Sequence, residues 1–131
     1  MAKLIHSMIR VRDEAKSLAF YNHAFGLQPY ERIEFDDFTL IYLRTPENDF
    51  ELELTVNHDR SEPYNLGDGY GHLAISVADL DGEHARLAAA GLAPRPIKQL
   101  DREGKKIGRF FFIDDPDGYK IEVLERSGRF A

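Results

Sequence analysis

The feature that most restricts how this chain can fold is that its pattern is written twice. The segment His6-x-x-Ile9-x-Val11-x-Asp13 returns as His72-x-x-Ile75-x-Val77-x-Asp79, with the same residues at the same offsets. Gly26-Leu27 closes one helical stretch and Gly91-Leu92 closes the other. Pro46 precedes a strand-like run at 50–57, and Pro116 precedes another at 119–125. Each run carries a glutamate, Glu53 in the first and Glu122 in the second. A chain of 131 residues fits one compact domain or two small fused modules, and either half alone would be marginal. Duplication of one small module accounts for these matches.

Periodicity fills in each half. Residues 4–11 alternate and read as a strand. Asp13 is placed to cap a helix over about 14–24, with Leu18, Tyr21 and Phe25 at helical spacing. Gly26 ends that helix, because glycine takes the left-handed conformation without steric cost. Strands are expected near 28–35, 38–44 and 50–57. The second half repeats the series, with a strand at 72–77, a helix at 81–90 and strands near 93–100, 107–113 and 119–125. Asp115-Pro116-Asp117-Gly118 is a turn, since proline presets φ and glycine accepts a positive φ. The expected fold class is α+β, two tandem βαβββ modules forming curved mixed sheets. The modules span 1–57 and 70–131, and a polar linker at 58–69 contains Pro63, Gly67 and Gly69.

Composition removes several function classes. The chain has no cysteine, which excludes disulfides, thiolate metal sites and a cysteine nucleophile. Its net charge of −6 disfavours binding to nucleic acid. No apolar run approaches the ~20 residues of a membrane span. The first residues, Met1 to His6, lack the shape of a signal peptide, so the expected location is the cytoplasm.

Side chains on a strand alternate between faces. His6 then shares a face with Leu4, Met8 and Arg10, and Glu53 with Glu51, Thr55 and Asn57. His72 goes with Ala74 and Ser76, and Glu122 with Lys120 and Leu124. If the sheets curve with these faces inward, the two His–Glu pairs converge in a cleft. Two imidazoles and two carboxylates suit a borderline divalent metal in six-coordinate geometry with two open positions. Open positions imply Lewis-acid chemistry on an oxygen substrate. Glu51 is an alternative to Glu53 on the same face, and the repeat register favours Glu53. A single strand histidine is more often a satisfied polar residue than a ligand, and a strand glutamate more often lies on a solvated face. The weight falls on the recurrence of the pair. His23, His58 and His84 lack such partners and read as surface residues.

Four stretches carry a family resemblance. They are His6-Ser7-Met8-Ile9-Arg10-Val11, Glu53-Leu54-Thr55-Val56-Asn57, Tyr70-Gly71-His72-Leu73-Ala74-Ile75-Ser76-Val77 and Asp115-Pro116-Asp117-Gly118-Tyr119-Lys120-Ile121-Glu122. Together they resemble bacterial glyoxalase I (lactoylglutathione lyase) of the vicinal oxygen chelate superfamily, over nearly the whole chain. The resemblance implies paired βαβββ modules and a metal-dependent lyase. Its metal ligands would be His6, Glu53, His72 and Glu122. It implies a homodimer with sites at the interface, His6 and Glu53 from one chain and His72 and Glu122 from the other. The short chain resembles the nickel- or cobalt-activated class, with zinc also able to bind. The implied reaction converts the methylglyoxal–glutathione hemithioacetal to S-lactoylglutathione, the metal stabilising an enediolate. Glu122 would be the proton-transfer base, with Glu53 sharing that role on the other substrate face. Arg10 and Asn57 match the family's glutathione contacts. His58 and Asp68 depart from the family pattern and bear on which thiol is used. The basic segment with Arg102, Lys105, Lys106 and Arg109 is charged enough to close over a carboxylate, but such a loop is usually just solvated.

Two other readings compete. One is a different enzyme of the same fold, such as an extradiol dioxygenase, an epimerase or a thiol transferase; the dioxygenase or the thiol transferase would use His6, His72 and Glu122 and leave Glu53 surplus. A non-catalytic small-molecule binding protein would need no metal ligands at all.

Overall fold

The computed structural model describes residues 1–131 and shows the repeat as two like-built units, Met1–Asn65 and Leu66–Ala131. The first contains β1 (His6–Arg10), α1 (Glu14–Phe25), β2 (Gln28–Glu34), β3 (Phe38–Arg44) and β4 (Glu51–Asn57). The second contains β5 (Leu73–Val77), α2 (Leu80–Ala89), β6 (Lys98–Arg102), β7 (Lys105–Asp114) and β8 (Lys120–Glu125). The sheets run β1-β4-β3-β2 and β5-β8-β7-β6. In each, the first strand lies parallel to the last and the other pairs are antiparallel. The two outer strands of a sheet therefore point the same way, and the helix is the crossover that a parallel arrangement requires.

Each sheet buries one face beneath its helix. In the first unit Ile9, Val11, Ile41, Leu43, Leu52 and Leu54 are buried, as are Phe20, Tyr21 and Ala24 of α1. In the second, Phe111, Ile113, Ile121 and Val123 are buried with Leu80 and Leu87 of α2. The period of two then assigns His6, Tyr42, Glu53, Phe112 and Glu122 to the opposite faces of their strands.

The aspartates that end the repeated motif are the helix caps. Asp13 accepts a hydrogen bond from the Lys16 N–H at 3.0 Å, and Asp79 accepts one from Gly82 at 3.0 Å. Both satisfy a backbone donor that the first helical turn leaves unpaired. Gly26 leaves α1 at a φ of 69°, and Gly91 follows α2 at 78°.

The largest departure from the sequence reading is the strand expected near 93–100, which forms at Lys98–Arg102 instead. Pro94 and Pro96 have no N–H to give a sheet, and Ala93 takes a φ of 52°. Between them, the Arg95 N–H bonds the Phe112 carbonyl at 2.8 Å. Glu103 and Gly104, at φ 54° and 75°, then turn β6 into β7. Two consecutive positive φ values suit the twist of a tight hairpin. A short 3₁₀ turn, Gly128–Phe130, was not expected. Its Phe130 ring lies over Gly108, where an added Cβ would come within 3.1 Å of it.

Residues 58–65 lie against the first unit. Arg12 donates to the Ser61 carbonyl at 3.3 Å, and the Arg60 guanidinium stacks 4.2 Å from the centre of the Tyr64 ring. No helix is long and apolar enough to cross a membrane.

Candidate metal centre

The two His–Glu pairs are assembled by the same geometry. In the parallel pairing of β1 with β4, His6 lies opposite Glu51. Glu53 is one step further along the same face, and His6 Nε2 stands 3.8 Å from Glu53 Oε1. In the parallel pairing of β5 with β8, Leu73 lies opposite Ile121. His72 and Glu122 therefore hold the same diagonal relation, and their Nε2 and Oε1 are 3.3 Å apart. The carboxylates are the deeper members, with side chains 11% and 17% exposed against 35% and 41% for the imidazoles.

Local sequence fixes these positions. Before β8, the buried Asp115 carboxylate accepts from the N–H groups of Asp117 and Tyr119, both at 2.9 Å. Gly118 completes the turn at a φ of 91°. This sets where β8 begins and hence where Glu122 projects. Ahead of β5, the Tyr70 hydroxyl donates to the Lys120 carbonyl at 3.0 Å and its ring stands edge-on to Tyr119 at 5.1 Å. The Tyr70 side chain thus straps the segment entering His72 onto β8. Partial burial pushes the Tyr70 phenol above its ordinary range.

Two residues beside the pairs escaped the sequence reading. Tyr42 lies directly opposite Glu53, and Phe112 directly opposite Glu122. Each ring stands edge-on to its own histidine, with centroids 6.0 Å apart for His6–Tyr42 and 5.4 Å for His72–Phe112. The Tyr42 phenol is pushed up to about 12, first by the neighbouring Glu53 carboxylate and then by burial. The signal was present in the repeat, since Tyr42 precedes Pro46 by the same four residues that separate Phe112 from Pro116.

The donor geometry fits a divalent ion. Neighbouring ligands each ~2.1 Å from an octahedral metal stand about 3.0 Å apart, and opposite ones about 4.2 Å. The separations of 3.3 and 3.8 Å fall between these limits, so small side-chain rotations bring either pair onto one ion. Within either unit, no third His, Asp or Glu joins the pair to form a larger cluster. Each unit therefore presents one His–Glu pair with the spacing of two metal ligands.

The other residues singled out by sequence are more dispersed. Arg10 is exposed at the end of β1. Asn57, half-buried at the end of β4, donates to the Tyr64 hydroxyl at 2.9 Å. His58 bridges Thr39 Oγ1 at 2.8 Å and the Asp36 carbonyl at 2.9 Å. His84 is half-buried, bonded to the Arg95 carbonyl at 2.9 Å and edge-on to Phe111, while His23 is exposed. In the basic segment, Arg109 pairs with Asp81 at 2.9 Å and Glu125 at 2.8 Å, and Lys106 pairs with Glu125 at 2.8 Å. These partners hold the Asp81 and Glu125 carboxyls below their ordinary range.

Residues 3–123 match the model of the Glyoxalase/Bleomycin resistance protein/Dioxygenase superfamily. The chain is 33% identical over 129 residues to a lactoylglutathione lyase of Neisseria meningitidis, covering 95% of this chain and 91% of that protein. A probable lactoylglutathione lyase of Synechocystis is 34% identical over 135 residues, covering 96% and 97%. Among solved structures, the trypanothione-dependent glyoxalase I of Leishmania major superposes with a TM-score of 0.76 at 32% identity, over 95% of this chain and 87% of that one. With the duplicated βαβββ architecture and the twin His–Glu pairs, these similarities show that the chain belongs to the glyoxalase superfamily, among its glyoxalase I-like enzymes.

Proposed function

We propose that this chain isomerises the hemithioacetal of methylglyoxal and glutathione to S-lactoylglutathione. His6, Glu53, His72 and Glu122 would hold a divalent metal, nickel or cobalt, with zinc as the alternative. The observation that carries this reading is the recurrence of one His–Glu diagonal, at 3.8 and 3.3 Å, in both units. The relatives named lactoylglutathione lyase over nearly their full length support the reaction. In this reading the active form is a cytoplasmic homodimer. Residues 1–57 and 70–131 act as its modules, 58–69 as the connection, and each site joins one chain's His6 and Glu53 to a second copy's His72 and Glu122.

When bound, the ion would supply Lewis-acid stabilisation of the negative charge that develops on the substrate. The rest falls to the protein. Glu122 takes the proton from the carbon bearing sulfur and hydroxyl, and returns it to the adjacent former carbonyl carbon. The hydroxyl proton passes to the other oxygen, so a ketone and a thiohemiacetal become an alcohol and a thioester with no external redox partner. Glu53 serves the same transfer from the opposite substrate face. His6 and His72 would present Nε2 to the ion, and Arg10 and Asn57 reach the carboxylates of glutathione.

The test is to strip the protein of metal and supply the hemithioacetal. Thioester absorbance is then followed with nickel, cobalt, zinc or no ion. Metal-dependent thioester formation, lost in Glu122→Gln, is expected. Metal uptake without thioester formation from this substrate would refute the assigned reaction, and absence of uptake would refute the site.

A further inference from the structure

Beyond β4 the first unit builds a second polar cluster. Alternation puts Glu51, Glu53, Thr55 and Asn57 on one face of β4, and Asn57 ends the strand. Asn57 Nδ2 donates to the Tyr64 hydroxyl at 2.9 Å. A phenol both accepts and donates, so with this bond received its own proton remains to be given. The Arg60 guanidinium lies 4.2 Å from the centre of the same ring. Its Nε and Nη2 donate to the carbonyls of Glu62 and Pro63, both at 2.8 Å. Those acceptors carry no charge. Arg32, Arg86, Arg95 and Arg109, in contrast, each grip a carboxylate. Arg60 is thus a cation fixed in place yet not neutralised, and its fork of N–H groups has donors beyond the two in use.

We infer that Tyr64 and Arg60, together with Asn57, form a subsite for a carboxylate on the peptide portion of the thiol. The inference rests on the glutathione-dependent reading above and deepens it by naming two contacts beyond Arg10 and Asn57. Four residues of strand separate Asn57 from Glu53, about 13 Å at the usual rise of a strand. A small free thiol held beside Glu53 cannot reach that far. A reacting group joined to a cysteine and its peptide neighbour can, since an extended chain covers about 3.5 Å per residue. A carboxylate arriving there takes the Tyr64 proton and the spare Arg60 N–H groups as charge-assisted hydrogen bonds. Little ordering is left to do on binding, because the Arg60 side chain is already clamped at both ends of its fork.

The test needs no turnover. S-methylglutathione, which keeps both carboxylates and has a blocked thiol, is titrated by calorimetry into the full-length wild-type protein, Tyr64→Phe and Arg60→Gln. Tyr64→Phe keeps the ring beneath Arg60 and removes only the hydroxyl, and melting temperatures confirm that each variant folds. Both variants are expected to bind about 10-fold more weakly or worse, as for loss of a hydrogen bond to a charged group. The S-methyl forms of γ-glutamylcysteine and cysteinylglycine, which lack the glycine and the γ-glutamate respectively, then identify the carboxylate. The loss caused by Tyr64→Phe should persist for one of them and vanish for the other. Equal loss with both, or no loss with S-methylglutathione, would overturn the subsite and leave the lyase reading standing. A wild-type protein that does not bind S-methylglutathione would overturn the glutathione reading along with it.

Discussion

Ile121 and Glu122 are neighbours on β8 with opposite duties. Ile121 has no exposed surface and packs beneath α2, while Glu122 projects from the other face. Truncating Ile121 to Ala should cost about 2–5 kcal/mol, since the cavity is only partly refilled, and urea unfolding would measure it. His72→Ala acts the other way. Its side chain is 41% exposed, so stability should change little while metal affinity falls, which calorimetric titration would separate. The alternation that divides these duties was legible in the sequence at every strand residue of the two pairs. What single residues did not disclose was the company they keep. Tyr42 reads as an ordinary strand aromatic until the β3–β4 register sets it opposite Glu53.

At the scale of elements, the repeat located the helices because their caps are chemical and local. Asp13→Ala removes a side-chain acceptor at the start of α1 and should cost about 1 kcal/mol, seen as a lower melting temperature. The first turn of α2 is held by Asp81, whose partner Arg109 also grips Glu125 on β8. Both carboxyls are held below their ordinary range in the folded chain. The unfolded chain therefore binds more protons in acid, and this stabilisation, full above about pH 5, is lost as pH falls through the lowered values. Arg109→Ala should flatten the fall of melting temperature between about pH 5 and pH 3. The same cluster explains why the basic segment is a poor candidate for a carboxylate clamp, since two of its four cations are already paired. The strand β3 formed where alternation placed it, at Phe38–Arg44. The strand β6 did not, because the prolines at 94 and 96 outweighed the pattern around them. Hydropathy reports which face a residue prefers, and it is blind to a missing backbone donor.

For the whole molecule, the question is which pairs meet. If the four residues hold one ion as proposed, two pairs per chain would give one metal per chain, whether the pairs meet within a chain or between copies. Mixing Glu53→Gln chains with Glu122→Gln chains distinguishes the two. If each site joins pairs from different copies, a mixed dimer contains one intact site and activity returns when the inactive variants are combined. If pairs meet within a chain, the mixture stays inactive. Legibility at this scale rested on the repeat alone. The matched histidines and glutamates pointed to two like pairs, but a one-dimensional string carries no term for how two units face each other.

The duplication also has a consequence for how such a catalyst can change. An ancestor with a single module would carry one His–Glu diagonal, and a second identical copy would have to complete the coordination sphere. Its two carboxylates would then be related by symmetry, and any substitution near one would strike both. Copying the module within one gene lifts that constraint. A tyrosine can be kept opposite Glu53 and a phenylalanine opposite Glu122, so that the surroundings of the two carboxylates are selected separately.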